Sequence, residues 1–99
     1  MANKAENIDD LSVDWTDDDG TQITKQLDKV VLSKGAWVTI MYLYQDLDRK
    51  TNSFGESKVR IERYQKKDGV YRSQSKFNIS SANQAKQISD SLGKWFPKE

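Results

Sequence analysis

The 99-residue chain has no cysteine, no histidine, a single proline and no apolar run longer than a few residues. Without cysteine there can be no disulfide and no thiolate nucleophile. Without histidine as well, the common zinc sites and the His-based acid–base and nucleophilic triads are excluded. The short apolar runs cannot supply a membrane-spanning helix, and the acidic N-terminus has no apolar core of the kind a secretory signal needs. The expectation is a cytoplasmic protein, nucleoid-associated if bacterial, with no membrane contact. No cofactor, no metal and no catalytic residues are expected either. Carboxylate pairs such as Asp46 and Asp48 occur, but no phosphate loop or metal-spaced cluster accompanies them, so an enzyme is not expected. A calcium-loop reading of Asp14 to Gly20 fails on spacing. With Gly20 at the turn, the first ligand position falls on Trp15 and the twelfth on Gln26.

Charge is plentiful but unevenly placed. Sixteen Lys and Arg against fifteen Asp and Glu give a net charge of +1. Residues 1–20 carry seven acids (Glu6, Asp9, Asp10, Asp14, Asp17, Asp18, Asp19) and one base, Lys4. The other fifteen bases and eight acids fall in residues 21–99, leaving a −6 segment joined to a +7 one. Like charges with sparse apolar residues (Ile8, Leu11, Val13, Trp15) read as an acidic disordered arm over 1–20. Residues 21–99 then form the folded domain.

That domain reads as four strands and one helix, an α+β fold of ββββα order with a curved antiparallel four-stranded sheet. Residues 22–33 form the first strand, and Lys34-Gly35 turns the chain. Residues 36–45 are β-branched and aromatic on both parities, as suits a central strand covered on both faces. A polar loop over 48–57 follows. Residues 58–66 and 70–79 alternate around the hairpin turn at Asp68-Gly69. In the third strand Val59 and Ile61 oppose Arg60, Glu62 and Tyr64. In the fourth, strict alternation sets Tyr71, Ser73, Ser75, Phe77 and Ile79 against Arg72, Gln74, Lys76 and Asn78. Ser81 and Gln84 match a capping box. Ala85, Ile88, Leu92, Trp95 and Phe96 recur at helical spacing, and Pro97 ends the helix.

The hairpin is where the positive charge collects. Residues 49–76 hold nine bases and three acids. If the apolar parity faces a core, Arg60, Tyr64, Lys66, Arg72 and Lys76 share the opposite surface. Cations beside aromatic rings suit single-stranded nucleic acid, because phosphates need Lys and Arg and unpaired bases need flat π surfaces. The candidate site is Arg60, Arg63, Lys66, Lys67, Arg72 and Lys76 for phosphates, with Tyr64, Tyr71 and Trp37 for bases. Exposed strands also carry Lys and Arg for solubility alone. A central-strand aromatic such as Trp37 can equally be core. The helix carries two lysines and no arginine, which makes it a poor reader of a duplex major groove. Its end, Leu92, Trp95 and Phe96, offers more apolar area than a short sheet needs. It either folds back on its own sheet or forms a homodimer interface, and the small size of the domain favours the homodimer. The acidic arm suggests two further roles. It can compete with nucleic acid for the hairpin, so that deleting residues 1–20 raises affinity, or it can recruit a transcription or replication protein. In the second case the chain is a protein-interaction module.

Residues 58–88, KVRIERYQKKDGVYRSQSKFNISSANQAKQI, resemble the core of positive cofactor four. That protein shares a single-stranded-DNA-binding fold with the Whirly and Pur-alpha proteins. In the family an Arg and aromatics end one strand, a short turn follows, and a basic strand closing on apolar-Ser-apolar precedes the helix. Phe77-Asn78-Ile79 stands at that closing pattern, Arg63 and Tyr64 match the strand-contacting Arg and aromatic, and Lys76 falls near the basic fourth-strand positions. Residues 91–96, SLGKWF, are similar to Pur repeats. The chain departs from the family where glycines would separate the bases of residues 72–76, and where a large aromatic would stand near Ala85. The resemblance implies a dimer whose paired curved sheets form the DNA groove. It also implies transcription or replication support with no enzymatic step.

Overall fold

The computed structural model describes residues 4–98, so the first three residues of the expected arm and Glu99 lie outside it. In chain order the elements are β1 (Lys4–Ala5), a 3-10 turn (Ile8–Asp10), β2 (Trp15–Thr16), β3 (Gln22–Ser33), β4 (Trp37–Asp48), β5 (Ser53–Phe54), β6 (Lys58–Lys67), β7 (Val70–Ile79) and α1 (Ala82–Trp95). The four long strands and the helix are those the sequence predicts. The sheet is a curled antiparallel half-barrel of spatial order β1-β7-β6-β4-β3-β2, with β5 paired to β4. It therefore has more strands than the expected four, and the extra ones are two-residue pieces. The polar stretch read as a loop contains one of them. Asn52 takes φ 55° and turns the chain so that Ser53 and Phe54 pair back onto Asp48 and Leu47.

The turn chemistry matches the sequence. Asp68 and Gly69 both have positive φ (54° and 78°), the pair of left-handed residues that matches the twist of a two-residue hairpin. Strict alternation in β7 does not hold. Arg63 pairs with Ser75 but Tyr64 pairs with Ser73, so Gln74 is a bulge residue and parity reverses there. Two similar shifts in β3 lie at Leu27 and Leu32, and both side chains are exposed.

The two sheet faces are covered differently. On the inner face β4 contributes Val38, Ile40, Tyr42 and Tyr44, β6 contributes Glu62 and Tyr64, and β7 contributes Tyr71. The N-terminal segment packs onto this face. Leu11 is 1% exposed and Val13 0%, and both belong to the same core cluster as the strand residues. Lys29 fastens the segment by donating from Nζ to the carbonyls of Ile8 and Leu11, at 2.7 Å each. Gln26 Oε1 accepts from Ser12 Oγ (2.9 Å) and from the Val13 amide (3.2 Å). The expectation of a disordered arm is therefore wrong for residues 4–20. Repulsion argued for disorder, yet the acids sit at exposed positions while the alternate positions 11 and 13 go inward. Asp17, in the turn after β2, meets Arg49 Nη2 at 2.8 Å. Its carboxyl is held down to about 2, by the Asp19 side chain first and Arg49 second.

The outer face is only partly covered. Val30, Trp37 and Phe77 remain exposed on it. Helix α1 meets the sheet mainly at β7 and, among the described residues, buries none of its own. Ser81 Oγ accepts from the Gln84 amide (3.1 Å) as the capping box predicts, while Gln84 Oε1 reaches the Ser80 amide (3.4 Å) instead of Ser81. Trp95 and Phe96 are 67% and 75% exposed and do not fold back onto the sheet.

Candidate nucleic-acid interface

Strand β6 sets a cation over an aromatic ring at every third residue. Arg60 Cζ lies 5.0 Å from the Tyr44 ring centre, Arg63 Cζ 4.6 Å from that of Trp37, and Lys66 Nζ 5.4 Å from that of Tyr71. The first two are diagonal neighbours across the β4–β6 ladder, and the third is a direct partner across β6–β7. A cation held flat on a ring gains about 0.5–1 kcal/mol at an exposed site.

The expected site residues do not form one surface. Register puts Arg60, Lys66 and Lys76 on the inner-face side and Arg63 on the outer face. Because of the bulge at Gln74, Arg72 pairs with Gln65 and joins Arg63 and Trp37 on the outer face instead of standing with Lys76. Lys67 pairs with Val70 beside the hairpin turn. Among the described residues the salt bridges are Arg49–Asp17 and Lys58–Asp46, so none of the six candidate cations is in an ion pair.

Two of the three candidate stacking residues are core instead. Tyr64 is 0% exposed, with its hydroxyl 2.8 Å from that of Tyr42, and Tyr71 is buried beneath Lys66. Neither ring face is open to a base. Burial pushes the Tyr42 hydroxyl up to about 12, and burial followed by the Tyr42 hydrogen bond pushes Tyr64 well above the usual phenol range. Both hydroxyls stay protonated at neutral pH. Glu62 is also buried and accepts from Ser73 Oγ at 2.6 Å. Trp37 does keep an open ring, at the edge of the outer face.

The sequence reading missed Trp15. It sits on β2 at the mouth of a cavity of about 480 Å3 lined by Ile23, Thr24, Asp46, Arg60 and Lys76. The available signal was the alternation of Leu11, Val13 and Trp15 with Ser12 and Asp14, a strand period hidden within an acidic segment. A second cavity of about 490 Å3 brings Glu6, Asp9 and Asp10 of the N-terminal segment beside Lys34, Lys66 and Tyr71.

No protein-family model, curated protein or solved structure matches the chain.

Proposed function

We propose that the protein binds single-stranded nucleic acid, largely without sequence choice, as positive-cofactor-four-like proteins do, and supports transcription or replication. The observation that carries this reading is the set of β6 cations that rest on aromatic rings, Arg63 on the outer face and Arg60 and Lys66 on the inner. Three cation–aromatic contacts on one ten-residue strand compare with roughly one per 70–80 residues in ordinary folds. A guanidinium held over a ring can still donate to phosphate and stack an unpaired base. Arg63 over half-open Trp37, next to Arg72, is the best-formed such unit. Lys66, Lys67 and Lys76 extend the positive field around the hairpin. A role for the acidic segment as a recruiting tail has less support, because Leu11 and Val13 anchor it in the core.

The acting unit is a homodimer joined through Leu92, Trp95 and Phe96. The radius of gyration is 15.1 Å, against about 13 Å for a compact chain of this length. The excess supports a fold completed by a second copy. Sedimentation equilibrium should give a dimer, and Trp95→Ala with Phe96→Ala a monomer.

Fluorescence anisotropy with labelled oligo-dT tests binding. Affinity should fall with salt at a log–log slope of about −0.7 per phosphate neutralised. Absence of binding at low salt overturns the reading. An Arg63→Ala, Lys76→Ala protein that binds unchanged shows that the surface is elsewhere.

A further inference from the structure

The cavity behind Trp15 is built from five different strands of the half-barrel. Trp15 comes from β2, Ile23 and Thr24 from β3, Asp46 from β4, Arg60 from β6 and Lys76 from β7. From β3 to β7 it crosses three strand spacings, roughly 14 Å. It is an open depression of about 480 Å3, so a ligand there stays partly in solvent. Leu11 and Val13 fill the neighbouring part of the inner face, so the opening lies beside the packed core.

Its charges are sorted across the sheet. On the β6–β7 side Arg60 is propped on the Tyr44 ring, and its Nε donates to Asn78 Oδ1 at 2.9 Å. That contact orients the guanidinium and leaves its two terminal nitrogens for an anion. Lys76 is exposed on the adjacent strand. On the β3–β4 side the Asp46 carboxylate accepts from Thr24 Oγ1 (3.0 Å) and Lys58 Nζ (3.3 Å). A carboxylate has about four acceptor positions, so two contacts leave room for another donor. Trp15, 43% exposed, is the aromatic residue of the lining. An anion is drawn to the Arg60–Lys76 side, while the spare acceptor positions of Asp46, whose charge Lys58 partly offsets, suit a flat, amine-bearing group.

The geometry points to a nucleotide subsite in which Trp15 stacks a base, Arg60 and Lys76 hold its phosphate, and Asp46 accepts from the base's exocyclic amine. The proposal rests on the single-strand-binding reading and adds to it a defined pocket, a stacking residue outside the hairpin and a preference for amino-bearing bases.

The test is anisotropy with labelled dC15 and dT15 at low salt, on the full chain. The wild type should bind dC15 more tightly than dT15. Trp15→Ala should weaken both by about tenfold, and Trp15→Phe should recover most of the loss. Lys76→Gln should reduce the salt slope by about 0.7, whereas Lys86→Gln, on the helix, should not. Circular dichroism melts of Trp15→Phe and Lys76→Gln check that the fold is retained. Unchanged binding by Trp15→Ala, with wild-type binding intact, overturns the pocket and leaves the general function standing. Equal affinity for dC15 and dT15 overturns the Asp46 contact. Failure of the wild type to bind either strand overturns both the pocket and the reading beneath it.

Discussion

Replacing Leu11 with alanine is the most direct test of how this fold is held together. Leu11 follows the 3-10 turn, its amide donates to Ile8 O (3.1 Å), and its side chain is 1% exposed against the inner face. Leu→Ala at a fully buried site costs about 3–5 kcal/mol, from lost transfer energy plus the cavity left behind. The segment can settle somewhat into that cavity, because it is one layer fastened by Lys29 and Gln26, so about 3 kcal/mol is the better figure. A chain of this length has roughly 5–15 kcal/mol of total stability. The loss is therefore a fifth to more than a half of it. With a urea m-value of about 1.5–2 kcal/mol/M for a small domain, the midpoint should fall by roughly 1.5–2 M at unchanged m. Leu27→Ala, on an exposed bulge of β3, should lower stability by less than about 0.5 kcal/mol. The measurement is urea unfolding followed by tyrosine and tryptophan fluorescence. If Leu11→Ala matches Leu27→Ala, the N-terminal segment is not part of the core and the reasoning fails. The same logic makes deletion of residues 1–20 a poor probe of binding, since it removes part of the core together with the acids.

Three further outcomes follow from named contacts. Tyr64→Phe strands the buried Tyr42 hydroxyl and should cost about 1–3 kcal/mol in urea unfolding, while Tyr42→Phe with Tyr64→Phe should cost less than the sum of the singles; additive costs would mean the 2.8 Å contact carries no coupling. Tyr42 and Tyr64 both titrate above the free phenol value of about 10, so the folded state holds protons the unfolded chain would release, and this outweighs the opposite effect of the single Lys29 ammonium, which burial lowers; the melting temperature should be flat from about pH 6 to 9 and fall as pH rises from 10 through 12, and a flat profile across that upper window would contradict the buried pair. Asp9→Asn with Asp10→Asn removes charge beside Lys34 and Lys66 without removing core, so oligo-dT affinity should rise about two- to fivefold at low salt and the gain should vanish at high salt; unchanged or lower affinity would show that these acids do not compete for the hairpin.

The parts of the fold that sequence made legible are those coded by neighbours along the chain. Period-two apolar residues, the Asp-Gly turn and the Ser81 cap each carry their signal within a few positions. What escaped was set by partners far away in sequence. The bulge at Gln74 is an exposed polar residue among exposed polar residues, and only its pairing with β6 reveals it. That one extra residue moved Arg72 to the other face and split the expected basic surface. Tyr64 looked like a stacking platform because a tyrosine among arginines can be one. Its hydroxyl partner, Tyr42, is 22 residues away on a different strand. The N-terminal segment was misread for another reason. Net charge averages over every position, whereas burial needs only every second one, and Leu11 and Val13 meet that condition between the acids.

A curled sheet with apolar residues on both faces needs two covers, and this chain supplies one. The N-terminal segment closes the inner face, but α1 leaves Phe77 and its own Leu92, Trp95 and Phe96 in solvent. Along the strands the outer face divides by position. Val59, Ile61, Phe77 and Ile79 lie at the end next to α1, whereas Trp37, Arg63 and Arg72 lie toward the hairpin. From Val59 to Gln65, the partner of Trp37, is six residues, about 20 Å of strand. A second copy seated at the helix end would therefore cover the apolar residues without masking the cation–aromatic end. Such an assembly would leave both the Arg63–Trp37 end of the outer face and the inner-face cations uncovered, so a monomeric Trp95→Ala, Phe96→Ala protein should keep each single-strand contact. What it should lose is the gain from presenting two sites on one strand, an effective-concentration effect that appears with long oligonucleotides and not with short ones.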